Sequence, residues 1–515
     1  MEPASGNSID IPADLLPYIF TGERVTNIEY VKKAATQHTP SSLSELYRLA
    51  RVEISKSLQT WNPPLASLAL ESDTETSSHL HRYEALFGRD ALRVAIDLLA
   101  FYPQLTRKTI IALAKLQGTS YNLAREEEPG RIPHEIRNPD DPIAKQLSQE
   151  FGWGWPYYGS VDATPEFIRT LVAYCQQTEE GFGFLSSHFT DKDGQERQIA
   201  DALIDAVGWI INRMDKNPQH LLEFKTPLPG GILNQAWKDS WDSYFHSDGT
   251  IANHDKGVAS IEVQRVVYDA LLDAAEIYDD ALGKSSEANA LRQRANELKQ
   301  TILDVFWTDD KGGYFVIGTD RDDNGNLRQL KIRTSNMGHL LHSRLLEGND
   351  TALVEMRQAI IRQLFSPEML GGNGVRTLAT NEIRYRPGAY HNGSIWLWDT
   401  YFIVQGLHRH NYHLLANELS QRLEKVIHQT KMFPEFVRGD DSPRAYLNQR
   451  VVDVWDSINN KSNRIEQPPQ EVQAWSVAAI ITLHHYDAKN HSYSKPSQFE
   501  SEIIKSIKAS DDDLH

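Results

Sequence analysis

Six short stretches concentrate the residues able to do chemistry: FGRD (87–90), WPYYGSVDAT (155–164), NQAWKDSWDS (234–243), RTSNMGH (333–339), YHNGSIWLWD (390–399) and EVQAWS (471–476). Each carries carboxylate, guanidinium, imidazole or amide groups, and all but RTSNMGH set them beside aromatic rings. Of the 11 tryptophans, those at 153, 155, 237, 241, 396, 398, 455 and 475 lie in or next to these stretches. Flat aromatic faces beside Asp and Arg suit a sugar, which offers C–H faces for stacking and hydroxyls for paired hydrogen bonds. Each motif alone has a plainer explanation. Arg89–Asp90 reads as a helix cap with a salt bridge, Asp162 before Ala-Thr-Pro as another cap, and any single Trp as core. Six together are harder to explain as packing.

The rest of the composition narrows the partner. The chain has 515 residues, and 53 basic against 70 acidic side chains leave a net charge of −17. That argues against nucleic acid or anionic lipid, which need clustered cations, and favours a neutral or cationic ligand. With one cysteine, Cys175, neither an internal disulfide nor a thiolate metal cage can form, as expected for a cytoplasmic protein. The first residues show no basic segment followed by an apolar run, and nowhere do about 18 apolar residues follow one another, so neither secretion nor a membrane span is expected. No Walker loop, GxSxG elbow or HExxH occurs, and GFGF at 181–184 lacks a third glycine. His408-x-His410 and His484-His485 read as late-helix residues facing solvent or the helix dipole, so no metal or cofactor is expected. Asn392-Gly-Ser394 is formally a glycosylation sequon. Nothing here sets the oligomeric state.

The elements that position these motifs are helical. Apolar periodicity predicts segments near 41–60, 89–101, 106–121, 164–177, 198–215, 258–279, 287–306, 333–346, 351–364, 393–409, 413–430 and 470–486. They alternate between charged stripes such as EANALRQRANELKQTIL and apolar ones such as SIWLWDTYFIVQGL, as outer helices around buried inner ones would. The expectation is an all-α fold, an (α/α)6 toroid of six helical hairpins over residues 41–487. The motifs precede the inner helices, so they converge at one mouth. Residues 1–40 read as a peripheral segment and 488–515 as a charged, frayed tail. One β-hairpin insertion is expected at GYFVIG…LRQLKIR. Its turn, DRDDNGN, half-matches a calcium loop but has Lys331 where a bidentate Glu is needed, and an Asn-Gly turn is the better reading.

In these motifs the chain resembles the glucosidase domain of glycogen debranching enzymes, the amylo-α-1,6-glucosidase family of (α/α)6-toroid glycosidases, over roughly residues 80 to 487. The family's (F/W)GRD segment is matched at 86–90, its G-x-I-P segment by GRIPHE at 130–135, and its Tyr-rich stretch ending in Asp by YYGSVD; QAWS stands at 473–476. The resemblance places the general acid on Asp239, in WKDSWDS, and the general base on Glu435, in MFPEF. Asp242, three residues on, is a second acid that leaves the first assignment open. The chain lacks the glucanotransferase half of eukaryotic debranching enzymes. Relatives on the same toroid cleave small glycosides such as glucosylglycerate and mannosylglycerate, so branched glucan and a short soluble α-glycoside are both implied.

Glycoside hydrolysis needs one carboxylic acid to protonate the leaving oxygen and one carboxylate to activate water. Trp237 and Trp241 would desolvate Asp239 and raise its pKa, while Lys238 would oppose them. Glu435, after Pro434 in an irregular connection, is placed to project into a pocket. Arg89, Asp90, His134, Tyr158, Asp162, Trp237, Lys238, Trp241, Asp242, Tyr390, His391, Asn392, Trp396 and Trp475 are expected to contact the sugar, with Trp153 as a further stacking candidate. Arg89 and Asp90 would hold a terminal sugar in a closed pocket, making the enzyme exo-acting. An inverting mechanism would separate the two carboxyls by about 6.5–9.5 Å. Two other classes remain open: a carbohydrate-binding toroid without chemistry, and a lyase or epimerase using His391 or His134 as proton shuttle.

Overall fold

The computed structural model describes residue 66 and residues 85–430, 433–440, 451–456, 461–466, 469–470, 473–489 and 496–512. Its helices, in chain order, are α1 (Gly88–Asp97), α2 (Pro103–Lys115), α3 (Pro142–Phe151), α4 (Ala163–Gln177), α5 (Ile199–Asp215), α6 (Ile261–Asp280), α7 (Ser285–Phe306), a 3-10 helix (Ser335–His342), α8 (Thr351–Leu364), α9 (Leu397–Arg409), α10 (His413–Thr430), α11 (Ala474–Lys489) and α12 (Gln498–Asp512).

Six of these close a ring. α1 packs on α4, α4 on α6, α6 on the 3-10 helix, that helix on α9, α9 on α11, and α11 back on α1. The helices that follow them form the outer layer, giving the (α/α)6 toroid expected from the alternating pattern. The physical basis is visible in two members. In α9 every residue from Leu397 to His408 is buried, whereas α7 buries only Ala288, Leu291, Ala295, Leu298, Ile302 and Phe306, a single stripe at helical spacing. The expected segment at 41–60 lies outside the described residues. The sixth outer helix is instead α12, where composition predicts a frayed tail. It is tied to the ring by the Glu500 carboxylate, which accepts the Leu414 amide at 2.9 Å, and by Phe499 against Tyr412. Two or three apolar anchors on one face are enough to dock a helix whose overall composition is polar.

Short antiparallel bridges precede the inner helices and close the mouth. Leu86–Phe87 pairs with Glu135–Ile136, Ala259–Ser260 with Gly318–Thr319, and Ile395–Trp396 with Phe436–Val437. The insertion is the expected hairpin, Gly318–Arg321 against Leu327–Leu330. In its turn Asp322 accepts the amides of Asn324 and Asn326 at 2.9 and 2.8 Å, and Gly325 takes φ +86°. Asp320 is engaged by Arg328, His246 and the Asn253 amide. These carboxylates satisfy protein donors, as a plain turn requires.

Candidate active site

Arg89, in the first turn of α1, is the pivot of the mouth. Its Nη1 donates to Asp162 Oδ2 and its Nη2 to Asp239 Oδ2, both at 3.2 Å, and its Nε lies 3.7 Å from Asp90. Asp162 occupies the N-cap position of α4 but does not cap it; its other oxygen accepts Ser160 Oγ at 2.6 Å. The carboxylate is therefore committed to the mouth, not to its own helix.

Asp239 lies in the long connection ahead of α6 and keeps 29% of its side chain exposed. Burial of the surrounding site pushes its carboxyl up to about 6, against the opposing pull of Arg89. Asp90 is driven further, to about 7, chiefly by burial and then by the nearby charges of Asp239 and Glu435, with Arg89 opposing. Glu435 is buried; its Oε1 accepts the Tyr390 hydroxyl at 2.5 Å and its Oε2 the Gln470 amide at 3.3 Å. Its neighbour Phe436 pairs with Trp396, which fixes the irregular 433–437 segment against the start of α9. Three carboxylates, Asp90, Asp239 and Glu435, thus feel one another across the pocket.

All six inner helices contribute to a small cavity of about 30 Å³ beneath Arg89, walled by Arg93, Glu166, Glu262, Arg265, Trp398 and Trp475 among others. The indole nitrogens of Trp237, Trp398 and Trp475, which also line it, have no protein acceptor among the described residues. A floor of this kind, rich in N–H donors and balanced by carboxylates, suits a neutral hydroxylic ligand.

The aromatic residues divide. Trp237 stands at the centre of a cluster, edge-on to Trp396, Trp398 and His391 at 5.8, 5.0 and 5.3 Å. Trp475 stacks on Trp398 at 4.8 Å. Trp241 is half-buried under the Arg384 guanidinium, 5.9 Å away. Trp396, an expected sugar contact, is fully buried and donates to Tyr390 O at 2.8 Å. Trp153, a further stacking candidate, is stacked on Tyr157 at 4.1 Å with its indole nitrogen on Gly230 O. Trp455 lies in the strand Val451–Asp456.

Further expected sugar contacts have protein partners. Tyr158 is buried and donates to Leu116 O at 2.6 Å. Lys238 is wholly buried, its Nζ on Thr377 O, and burial pulls its ammonium down to about 7. Asn392 is buried and donates to Asp242 O at 3.0 Å; the contact involves the Asp242 backbone, while its half-buried side chain stays at the rim. His134 packs between Phe87 and Tyr157, and His391 lies against Trp396; burial holds both well below the usual imidazole range, hence neutral.

Sequence reasoning passed over Glu166, Glu262 and Arg265, which wall the cavity. Their signal was available: charged residues in the first turns of inner helices. Ser240 and Thr377, partners of His391 and Lys238, carried no such mark.

A carboxylate-lined mouth on an (α/α)6 toroid defines a glycoside hydrolase of the toroid class. Solved structures that share the fold include the following two. A bacterial glucoamylase complexed with acarbose has a TM-score of 0.51 at 13% identity, covering 86% of this chain and 55% of that one. The GH63 mannosylglycerate hydrolase from Thermus thermophilus, in complex with Tris and D-glycerate, has a TM-score of 0.53 at 11% identity, covering 85% of this chain and all of that one. The chain therefore spans only about half the length of the glucoamylase. Residues 90–442 match the mannosylglycerate hydrolase MGH1-like glycoside hydrolase domain, and the chain belongs to that family. No curated protein matches it by sequence. Among the described residues no helix is long and apolar enough to cross a membrane.

Proposed function

We propose that the protein is an inverting, exo-acting hydrolase of a short α-glycoside, with Asp239 as general acid and Glu435 as general base. The observation that carries this reading is the gathering of the two carboxyls at one mouth in different settings. Burial raises Asp239 to about 6, which favours the proton a leaving oxygen needs, whereas Glu435 is held in place by the Tyr390 hydroxyl and the Gln470 amide, which both donate to it. Arg89 and Asp90, enclosed at the base of the mouth, supply paired donors and acceptors for a terminal sugar. The family match favours a mannosyl or glucosyl glycoside of glycerate over branched glucan; an α-glucoside of another alcohol is the second reading, supported by the debranching-type motifs and the glucoamylase-like fold.

The test is a panel of mannosylglycerate, glucosylglycerate, isomaltose and an aryl α-glucoside, with proton NMR of the first-formed anomer. A β-anomer from an α-linked substrate supports the mechanism. An α-anomer refutes the assignment of Glu435, and cleavage of none of them supports a carbohydrate-binding toroid. A product that is unsaturated or isomerised would instead indicate lyase or epimerase chemistry.

A further inference from the structure

Alternate residues of the Asp239 loop are fastened to two stretches that hydrogen-bond to each other, one at Thr377 and one at residues 391–392. Lys238 donates to Thr377 O, Ser240 engages His391 Nδ1 through its amide at 3.3 Å and its hydroxyl at 2.7 Å, and Asp242 O accepts Asn392 Nδ2 at 3.0 Å. Asp239, between them, places Oδ2 on Arg89 and keeps Oδ1 4.0 Å from His391 Nδ1. Because the amide of Ser240 donates, His391 Nδ1 must be an acceptor, and the ring's proton sits on Nε2.

The stretches that receive these bonds are themselves rigid. The Thr377 amide and hydroxyl both donate to Ser394 O at 2.9 Å, and the Thr377 hydroxyl accepts the Gly393 amide at 3.0 Å. Tyr390 O accepts Ser394 Oγ at 2.6 Å and Trp396 Nε1 at 2.8 Å. Gly393 adopts φ +146°, and a Cβ there would lie 2.3 Å from Arg386 O, so only glycine lets the chain pass at this distance. At its other end the second stretch reaches Glu435 through the Tyr390 hydroxyl, whose ring is wedged edge-on against Trp396 and Phe436 at 4.8 and 5.1 Å.

Resting on the reading of Asp239 as acid and Glu435 as base, we infer that residues 390–394 are a positioning strap that fixes the two carboxyls relative to each other, with Tyr390 as a donor that holds Glu435 Oε1. Tyr390, His391 and Asn392 then serve the reaction through the carboxyls they hold, and not as sugar contacts. Among the described residues the titratable groups facing Glu435 include Tyr390 from the strap, Asp90 from α1 and Asp239 from its loop. The two aspartates, when charged, oppose ionisation of Glu435. The Tyr390 hydroxyl is a side-chain donor that favours it.

Tyr390→Phe tests this with little risk to folding, because the ring contacts are kept. The Glu435 carboxyl is followed by carbon-13 NMR in protein labelled at glutamate, its signal assigned by its loss in Glu435→Gln. The strap requires the Glu435 midpoint to rise by about one pH unit in Tyr390→Phe, since a donor to the charged form has been removed. In the same variant kcat should fall about tenfold with KM nearly unchanged, and the acidic limb of the rate profile should move up with the midpoint. Ser240→Ala, on the acid side, should lower kcat by about threefold to tenfold and leave that midpoint in place. An unshifted Glu435 midpoint and an unshifted limb in Tyr390→Phe would overturn the strap while leaving the hydrolytic reading intact. If the protein cleaved no glycoside, the NMR titration would still decide the strap, because it needs no turnover.

Discussion

Nη2 of Arg89 lies 3.2 Å from Oδ2 of Asp239, joining positions 150 residues apart and setting a cation against the carboxyl proposed to carry a proton. The same guanidinium is held by Asp162 and approached by Asp90, so its charge is shared among three acids. Burial outweighs the remaining attraction, and Asp239 is left near 6, within range of a working general acid at mild pH.

The rate should therefore depend on pH in a specified direction. With Asp239 raised to about 6 and Asp90 to about 7, the site loses its protons as pH rises through that interval, and kcat/KM should decline on the alkaline side from about pH 6–7. Because the carboxyls interact, the limb belongs to the cluster and not to one residue. A profile that stays flat from about pH 5 to 8 on the best substrate of the panel would contradict the assignment.

Asp239→Asn and Glu435→Gln should each lower kcat by about a hundredfold or more while leaving the thermal midpoint nearly in place. Asp242→Asn is the control, expected to change kcat less than about fivefold, because the Asn392 contact uses the Asp242 carbonyl, which the substitution keeps. Comparable losses in all three variants would remove the basis for choosing Asp239.

Asp90 stores a stability cost that grows with pH. Its folded-state pKa, about 7, lies above the ordinary carboxyl value, so the stability it contributes is complete below about pH 4 and is lost as pH rises through 7. Asp90→Asn should consequently match the parent at about pH 4 and exceed it by roughly 1–3 kcal/mol at about pH 8, with reduced activity. Denaturant melts at the two pH values give the comparison, and equal stability at the higher pH would count against a buried, protonated Asp90.

The tryptophans should separate into structural and ligand-facing sets. Trp396→Ala and Trp153→Ala remove buried, hydrogen-bonded rings and should cost about 3–5 kcal/mol of stability each. Trp241→Ala, half-exposed at the rim, should alter stability little and weaken substrate binding by about 1–3 kcal/mol if its face meets the sugar. The check is to measure Tm and KM for all three; an unchanged KM in Trp241→Ala would remove that residue from the site.

Much of this was legible in the chain before any coordinates. The apolar stripe of α7 and the all-round apolarity of α9 follow from residue type and helical period, and these two helix classes leave a closed double ring as the compact solution. Placing a motif before each inner helix then dictates one shared mouth. Local sequence could not reveal α12, whose few anchors matter only once Tyr412 and Leu414 are present to receive them. Nor could it say which side of the loop each of residues 237–242 would face. In that irregular stretch Asp239 meets Arg89 and lies 4.0 Å from His391, while Lys238, Ser240 and Asp242 O bind groups from 377 to 392. That choice rests on partners about 140–150 residues away, supplied only when the ring closes, and it decides which polar residues reach a ligand and which hold the site together.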